Sequence, residues 1–91
     1  MTVLFQNRTT NGTAAGPFTE ATDTHIQITV SGTFGKADVY LMFSQDSLRP
    51  APQTVFRTAG TKVVNIKSGT TWWIEIAEAD ETTDLDASYL V

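Results

Sequence analysis

Apolar and polar residues alternate with a period of two in segment after segment of this 91-residue chain. No other feature constrains its fold as much. In "HIQITVS", Ile26, Ile28 and Val30 fall on one side and Gln27, Thr29 and Ser31 on the other. "DVYLMFSQ" places Val39, Leu41 and Phe43 together, and "WWIEIAE" does the same for Trp72, Ile74 and Ile76. "DLDASYLV" sets Leu85, Ala87, Tyr89 and Val91 against Asp84, Asp86, Ser88 and Leu90. Successive side chains of a strand point to opposite faces, so this period describes half-buried β-strands. No apolar stripe with a 3.6-residue period competes with it. Sixteen threonines add β-branched side chains that favour the pleated state.

"QTVFRTA" and "TKVVNIK" read as two further strands across an Ala59-Gly60 turn, and "TVLFQ" and the region of Gly16–Glu20 as two more. "TTNGTAAGPFTE" between these last two reads as a loop or a loose hairpin around Asn11-Gly12. "SGTFGKAD", "KSGTT" and "EADETTD" supply turns, and "SQDSLRPAPQ", with Pro50 and Pro52, is the longest internal loop. The expected fold is all-β: a single antiparallel β-sandwich, Ig-like or jelly-roll, of seven to eight strands. An N-terminal strand or arm with a flexible link is expected over residues 1–15, and the sandwich domain over 16–91.

A chain of this length accommodates one core and buries roughly 60–65% of its unfolded surface, which leaves little room for a deep cleft. Its net charge is −4, and the six cationic residues (Arg8, Lys36, Arg49, Arg57, Lys62 and Lys67) are scattered. Nucleic-acid binding requires clustered cations that displace counterions, so it is disfavoured. There is no cysteine, which excludes disulfides and thiol chemistry. "MTVLFQNRTT" lacks the pattern of a signal peptide, and no apolar run nears the ~20 residues that span a bilayer. A soluble protein made in a cytoplasm, without membrane or nucleic-acid partners, is expected. The glycosylation patterns at Asn7 and Asn11 then read as coincidence in a threonine-rich stretch.

Catalytic signatures are missing. His25 is the single histidine, with Asp23 two residues before it, but no nucleophile motif accompanies them. "SGTFGK" has neither the spacing nor the following helix of a phosphate loop. Glu75, Glu78, Asp80, Glu81, Asp84 and Asp86 crowd together. Asp84, Asp86 and Ser88 imitate the first ligands of a calcium loop, yet Tyr89 stands where the turn glycine belongs. A solvated acidic loop is the simpler reading, although a calcium site of another design between loops stays open. No enzyme activity, cofactor, metal or catalytic residue is expected.

The outward faces carry more information. If Trp72 faces the core, Trp73 points away from it, and so do Tyr40 and Met42 opposite Val39, Leu41 and Phe43. One of Val55 and Phe56 must also point outward. These side chains either pack beneath the N-terminal arm or the proline loop, or form a contact patch. Trp, Tyr and Met are types enriched in interface cores, which favours the patch. Trp73, Tyr40 and Met42 are therefore the candidate interface, with Val3, Leu4 and Phe5 of the arm as a second contact.

The order of segments resembles small bacteriophage virion proteins of β-sandwich type. The resemblance covers most of residues 3–91 and rests on "GPFTEA", "IQITVSGTFGKADVYLMFSQDS", "TVFRTAGTKVVNIKSGTTWWIEIAEA" and the closing "ASYLV". In such chains a "VSGTF" turn precedes a strand ending in S-x-D, followed by a strand–Ala-Gly–strand hairpin. Here Ser47 stands where a glycine is common. The resemblance implies a head decoration (cement) protein that binds the major capsid protein or another virion protein, often as a trimer or dimer. The virion is the implied location. A carbohydrate- or receptor-binding module, and a fibre or neck adaptor, are the alternatives.

Overall fold

The computed structural model describes residues 2–45 and 51–91, and the side chains of all of these but 45 and 51–54. Eight strands make up the described chain: β1 (Thr2–Arg8), β2 (Gly12–Thr19), β3 (Thr24–Thr33), β4 (Asp38–Gln45), β5 (Ala51–Phe56), β6 (Gly60–Ile66), β7 (Thr70–Ala77) and β8 (Asp84–Leu90). They form two antiparallel four-stranded sheets, in the orders β1-β8-β3-β6 and β2-β7-β4-β5. β1 pairs with β8, β2 with β7, β3 with β6 and β4 with β5, as in a long antiparallel ribbon folded at its middle and rolled over a core. That order is the jelly roll, one of the two sandwich topologies the sequence leaves open.

The hairpin expected at Ala59-Gly60 is corrected, and of the two readings open at Asn11-Gly12 the hairpin is excluded. β5 and β6, joined through Ala59-Gly60, lie in different sheets, so this connection arches over the edge of the sandwich. β1 and β2 likewise belong to different sheets, and the chain near Asn11-Gly12 crosses between them. Among the described strands, only β4 and β5 are sequence neighbours that pair. The proline loop that links them falls largely outside the described residues, as does Ser47.

The expected boundary after residue 15 falls inside β2. The N-terminal segment is an edge strand of the first sheet, held by β8. Phe5 anchors it, being 8% exposed within the core.

The inward rows match the alternation. Ile26, Ile28, Val30, Leu85 and Ala87 of one sheet meet Val39, Leu41, Trp72, Ile74 and Ile76 of the other, and all are buried. Phe56 is inward and Val55 half-buried, which settles that pair. Trp72 packs against Phe18 of its own sheet (ring centroids 4.7 Å apart) and edge-on against Tyr89 of the opposite sheet (5.7 Å). Its indole N–H donates to Glu20 Oε1 at 3.1 Å, so the ring is buried without orphaning its polar atom.

The acidic segment after β7 has a structural task. Asp80 Oδ1 accepts from the Thr82 hydroxyl at 2.7 Å and the Thr82 N–H at 2.9 Å, while Oδ2 accepts from the Lys36 N–H at 3.2 Å. Thr83, buried beside it, donates its hydroxyl to the Phe34 carbonyl at 2.8 Å. These bonds tie the β7–β8 loop to the β3–β4 turn, where a Cβ on Gly35 would collide with the Asp80 carboxylate. The Thr82 hydroxyl and N–H, helped by Thr83 and Lys36, hold the Asp80 carboxyl below its ordinary 3.8. A lowered carboxyl pKa stabilises the fold above the unfolded-state value, and that contribution disappears as pH falls through the folded-state value. Thermal midpoints of the wild type and Asp80→Asn should therefore differ most above about pH 4 and converge below it. A constant gap across an acid titration would assign the difference to packing instead.

Candidate interaction surface

The outer face of the β2-β7-β4-β5 sheet is built by the same alternation that fills the core. With Trp72, Ile74 and Ile76 inward, β7 turns Thr71, Trp73 and Glu75 outward, and each is half-buried. The register then places Met42 opposite Trp73, Tyr40 opposite Glu75 and Ser44 opposite Thr71. Val55 of β5 stands opposite Tyr40 on the other side. The three residues expected to form a contact patch are thus assembled on one face.

Polar groups set the patch in place. The Trp73 indole N–H donates to Glu75 Oε1 at 2.7 Å, which orients the ring along its own strand. Tyr40 donates its hydroxyl to Asp38 Oδ2 at 3.3 Å, and Asp38 Oδ1 pairs with Arg57 Nε at 3.3 Å. On the β2 side, Gly16 (φ +91°) brings bare backbone against Trp73. A Cβ there would lie 3.0 Å from both the Trp73 Cβ and the Trp72 carbonyl oxygen. Beside the ring runs an open groove of about 470 Å³, lined by Thr13, Pro17, Ser44, Thr71, Trp73 and Glu75. An aromatic face flanked by hydroxyls and one carboxylate can bury a flat apolar surface and satisfy polar groups at its rim.

The second expected contact is not assembled with the first. Val3, Leu4 and Phe5 belong to the opposite sheet. Phe5 is core, Leu4 is half-buried against that core, and Val3 faces outward at 57% exposure. Phe5 is therefore corrected from interface to core residue. A bulged β1 explains this: register shifts between Val3 and Phe5, and between Phe5 and Arg8, break the strict alternation.

His25 is exposed at the start of β3, its ring nitrogen bonded to the Asn65 side-chain oxygen. Asp23 is engaged elsewhere, accepting from the Ser68 N–H at 2.8 Å. Asp84, Asp86 and Ser88 lie along β8, which spaces alternate residues about 7 Å apart along the strand. Among the described residues, no group of three or more His, Asp or Glu side chains is arranged to hold a metal ion.

Sequence reasoning missed a second surface. Val63, Leu90 and Val91 are 70%, 47% and 81% exposed. Gln27 pairs with both Val63 and Leu90, so these three form one row across the outer face of the first sheet. The doubled valine of "KVVN" carried the same signal as the doubled tryptophan, since one of two adjacent strand residues must face out.

Comparisons of the chain with family models, curated proteins and solved structures return no match.

Proposed function

We propose that this protein is a virion structural protein, a bacteriophage head decoration (cement) protein. In this reading it docks on the assembled capsid through the outer face of the β2-β7-β4-β5 sheet. The observation that carries the reading is the juxtaposition of Trp73, Met42 and Tyr40 on that face. A jelly roll is a fold used by viral coat components, and the order of turns and strands resembles small virion proteins. The mechanism is passive. Each copy buries its aromatic patch against the major capsid protein, and many copies on a repeating lattice turn modest contacts into firm attachment. Homo-oligomerisation, as a trimer or dimer, would multiply the contacts further.

The test is the copy number of the chain in purified particles, measured by quantitative mass spectrometry against the major capsid protein. Hundreds of copies support decoration, tens indicate a fibre or neck adaptor, and absence ends the virion reading. Trp73→Ala should then weaken particle binding by about 30-fold or more, as removal of a central aromatic contact does. Its unfolding free energy should change by only about 1 kcal/mol, because the ring lies on the outer face.

One observation favours a second reading, a carbohydrate-binding module. The groove beside Trp73 combines an aromatic face with Thr13, Ser44 and Thr71 hydroxyls and the Glu75 carboxylate. Those are the groups that stack on a sugar ring and bond its hydroxyls. Titration of tryptophan fluorescence with soluble glycans tests it, and the absence of a shift with every glycan rejects it.

A further inference from the structure

The two sheets have four edge strands, β1, β6, β2 and β5, and three of them are interrupted. β1 carries two bulges, with Asn7 at φ 51°. β2 carries two bulges and Pro17. β5 has Pro52 at a register shift. Bulges and prolines are the usual means by which an edge is kept from pairing with another chain. β6 has none of them. It pairs with β3 over seven consecutive positions, Gly60 to Ile66, without a shift, and among the described residues no strand lies on its other side.

We infer that β6 is a self-association edge. It pairs antiparallel with β6 of a second copy, so that two β1-β8-β3-β6 sheets become one continuous sheet across a two-fold axis. A strand edge of this kind offers a row of backbone N–H and C=O groups to an extended partner. The charge pattern selects a second copy as that partner. The outward side chains of β6 and its neighbour β3 are Thr61, Val63, Asn65, His25, Gln27 and Thr29, with no carboxylate, lysine or arginine among them. On this outward face two chains of net charge −4 can approach without setting like charges side by side.

Centring the axis on Val63 places it against its own symmetry mate, Thr61 against Asn65, and Lys62 against Val64. Val63, 70% exposed in one copy, is then covered by the other. Lys62 does not guard the edge. Its ammonium folds back over the Phe56 ring, 5.0 Å from the centroid, and donates to the Val55 carbonyl. The inference extends the oligomerisation included in the proposed function. Because β6 and Trp73 lie on different sheets, each can be tested while the other is intact.

Sedimentation velocity of the full chain from about 1 to about 500 μM decides whether a dimer forms in the micromolar range. The expected result is a species of twice 9.9 kDa that becomes monomeric in Val63→Lys, with the thermal midpoint of that variant's monomer retained. Since the chain has no cysteine, Val63→Cys should form an intersubunit disulfide on mild oxidation, whereas Ser31→Cys should not. A monomer throughout the range overturns the inference. A dimer that persists in Val63→Lys, with no cross-link in Val63→Cys, also overturns it and moves self-association to another surface. Failure of particle binding with an intact dimer would reject decoration and leave the edge standing.

Discussion

Trp72→Ala should cost about 3–5 kcal/mol, the range for deleting a fully buried large aromatic side chain. Trp72 has no exposed surface and is the largest of the fully buried side chains. It spans the sandwich, touching Phe18 on its own sheet and Tyr89 on the facing one, so its loss opens a void between the layers. Partial collapse would have to draw the two sheets together against the Ile74 and Leu41 side chains, which already fill their own sites. Small domains have total stabilities near the lower end of about 5–15 kcal/mol, so most of the margin is at stake. Urea unfolding followed by circular dichroism should show a much lower midpoint with an unchanged slope. The contrast with the neighbouring residue is the sharp part of the test. Trp73→Ala removes a ring of the same size one position away, yet should lower the midpoint only by the small fraction that about 1 kcal/mol represents. Equal losses at both positions would mean that the outer face of this sheet is covered in the free protein.

Gly32→Ala should be nearly as damaging, although it adds only one methyl group. Gly32 has φ +104°, outside the regions that residues with a Cβ adopt at low cost. It pairs with Leu85 in the β3·β8 ladder at the centre of the first sheet. A Cβ there would sit well inside van der Waals distance of the Asp84 carbonyl oxygen and 3.3 Å from the Leu85 Cα. The obstacle is backbone, so no side-chain rotation relieves it. Conformational strain alone accounts for about 1–3 kcal/mol, and the collision adds to it by splaying the strands. A fall in melting temperature of about 12 °C or more is expected from a total near 3 kcal/mol in a domain of this size. Gly60→Ala is the matched control. A Cβ at Gly60 meets nothing within 4 Å, so this variant should be neutral or slightly stabilising by restricting the unfolded chain. If Gly32→Ala melts with the wild type, β3 and β8 do not approach as closely as described.

Legibility in the sequence followed the range of the interactions concerned. "DVYLMFSQ" matches β4 residue for residue, and the alternation in "WWIEIAE" separated a core tryptophan from an outward one. The outward facing of Trp73, Met42 and Tyr40 was readable for the same reason, but the pairing of β4 with β7 that brings them together was not. In "TVLFQ", a plain apolar run, no alternation was there to read, and two bulges accompany the inward placing of Phe5. The alternation failed at Val91, which extends past the last strand and lies exposed. The acidic cluster after β7 was visible as composition, but its use was not. Asp80 accepts from Thr82 close by and from the backbone N–H of Lys36, distant in sequence, and nothing near Asp80 announces the second contact.

By itself the sequence determined the strand content, the facing of most side chains and the absence of thiol chemistry. Pleating makes facing a property of adjacent residues, and composition is independent of fold. Only the tertiary structure decided that Ala59-Gly60 bridges two sheets, that the N-terminal segment is an edge strand, and that β6 is the unbroken edge among the described strands. Pairing joins residues far apart in the chain, as β1 joins β8. The entropy of closing a long loop rises only slowly with its length, so proximity in sequence is a weak guide to which strands meet.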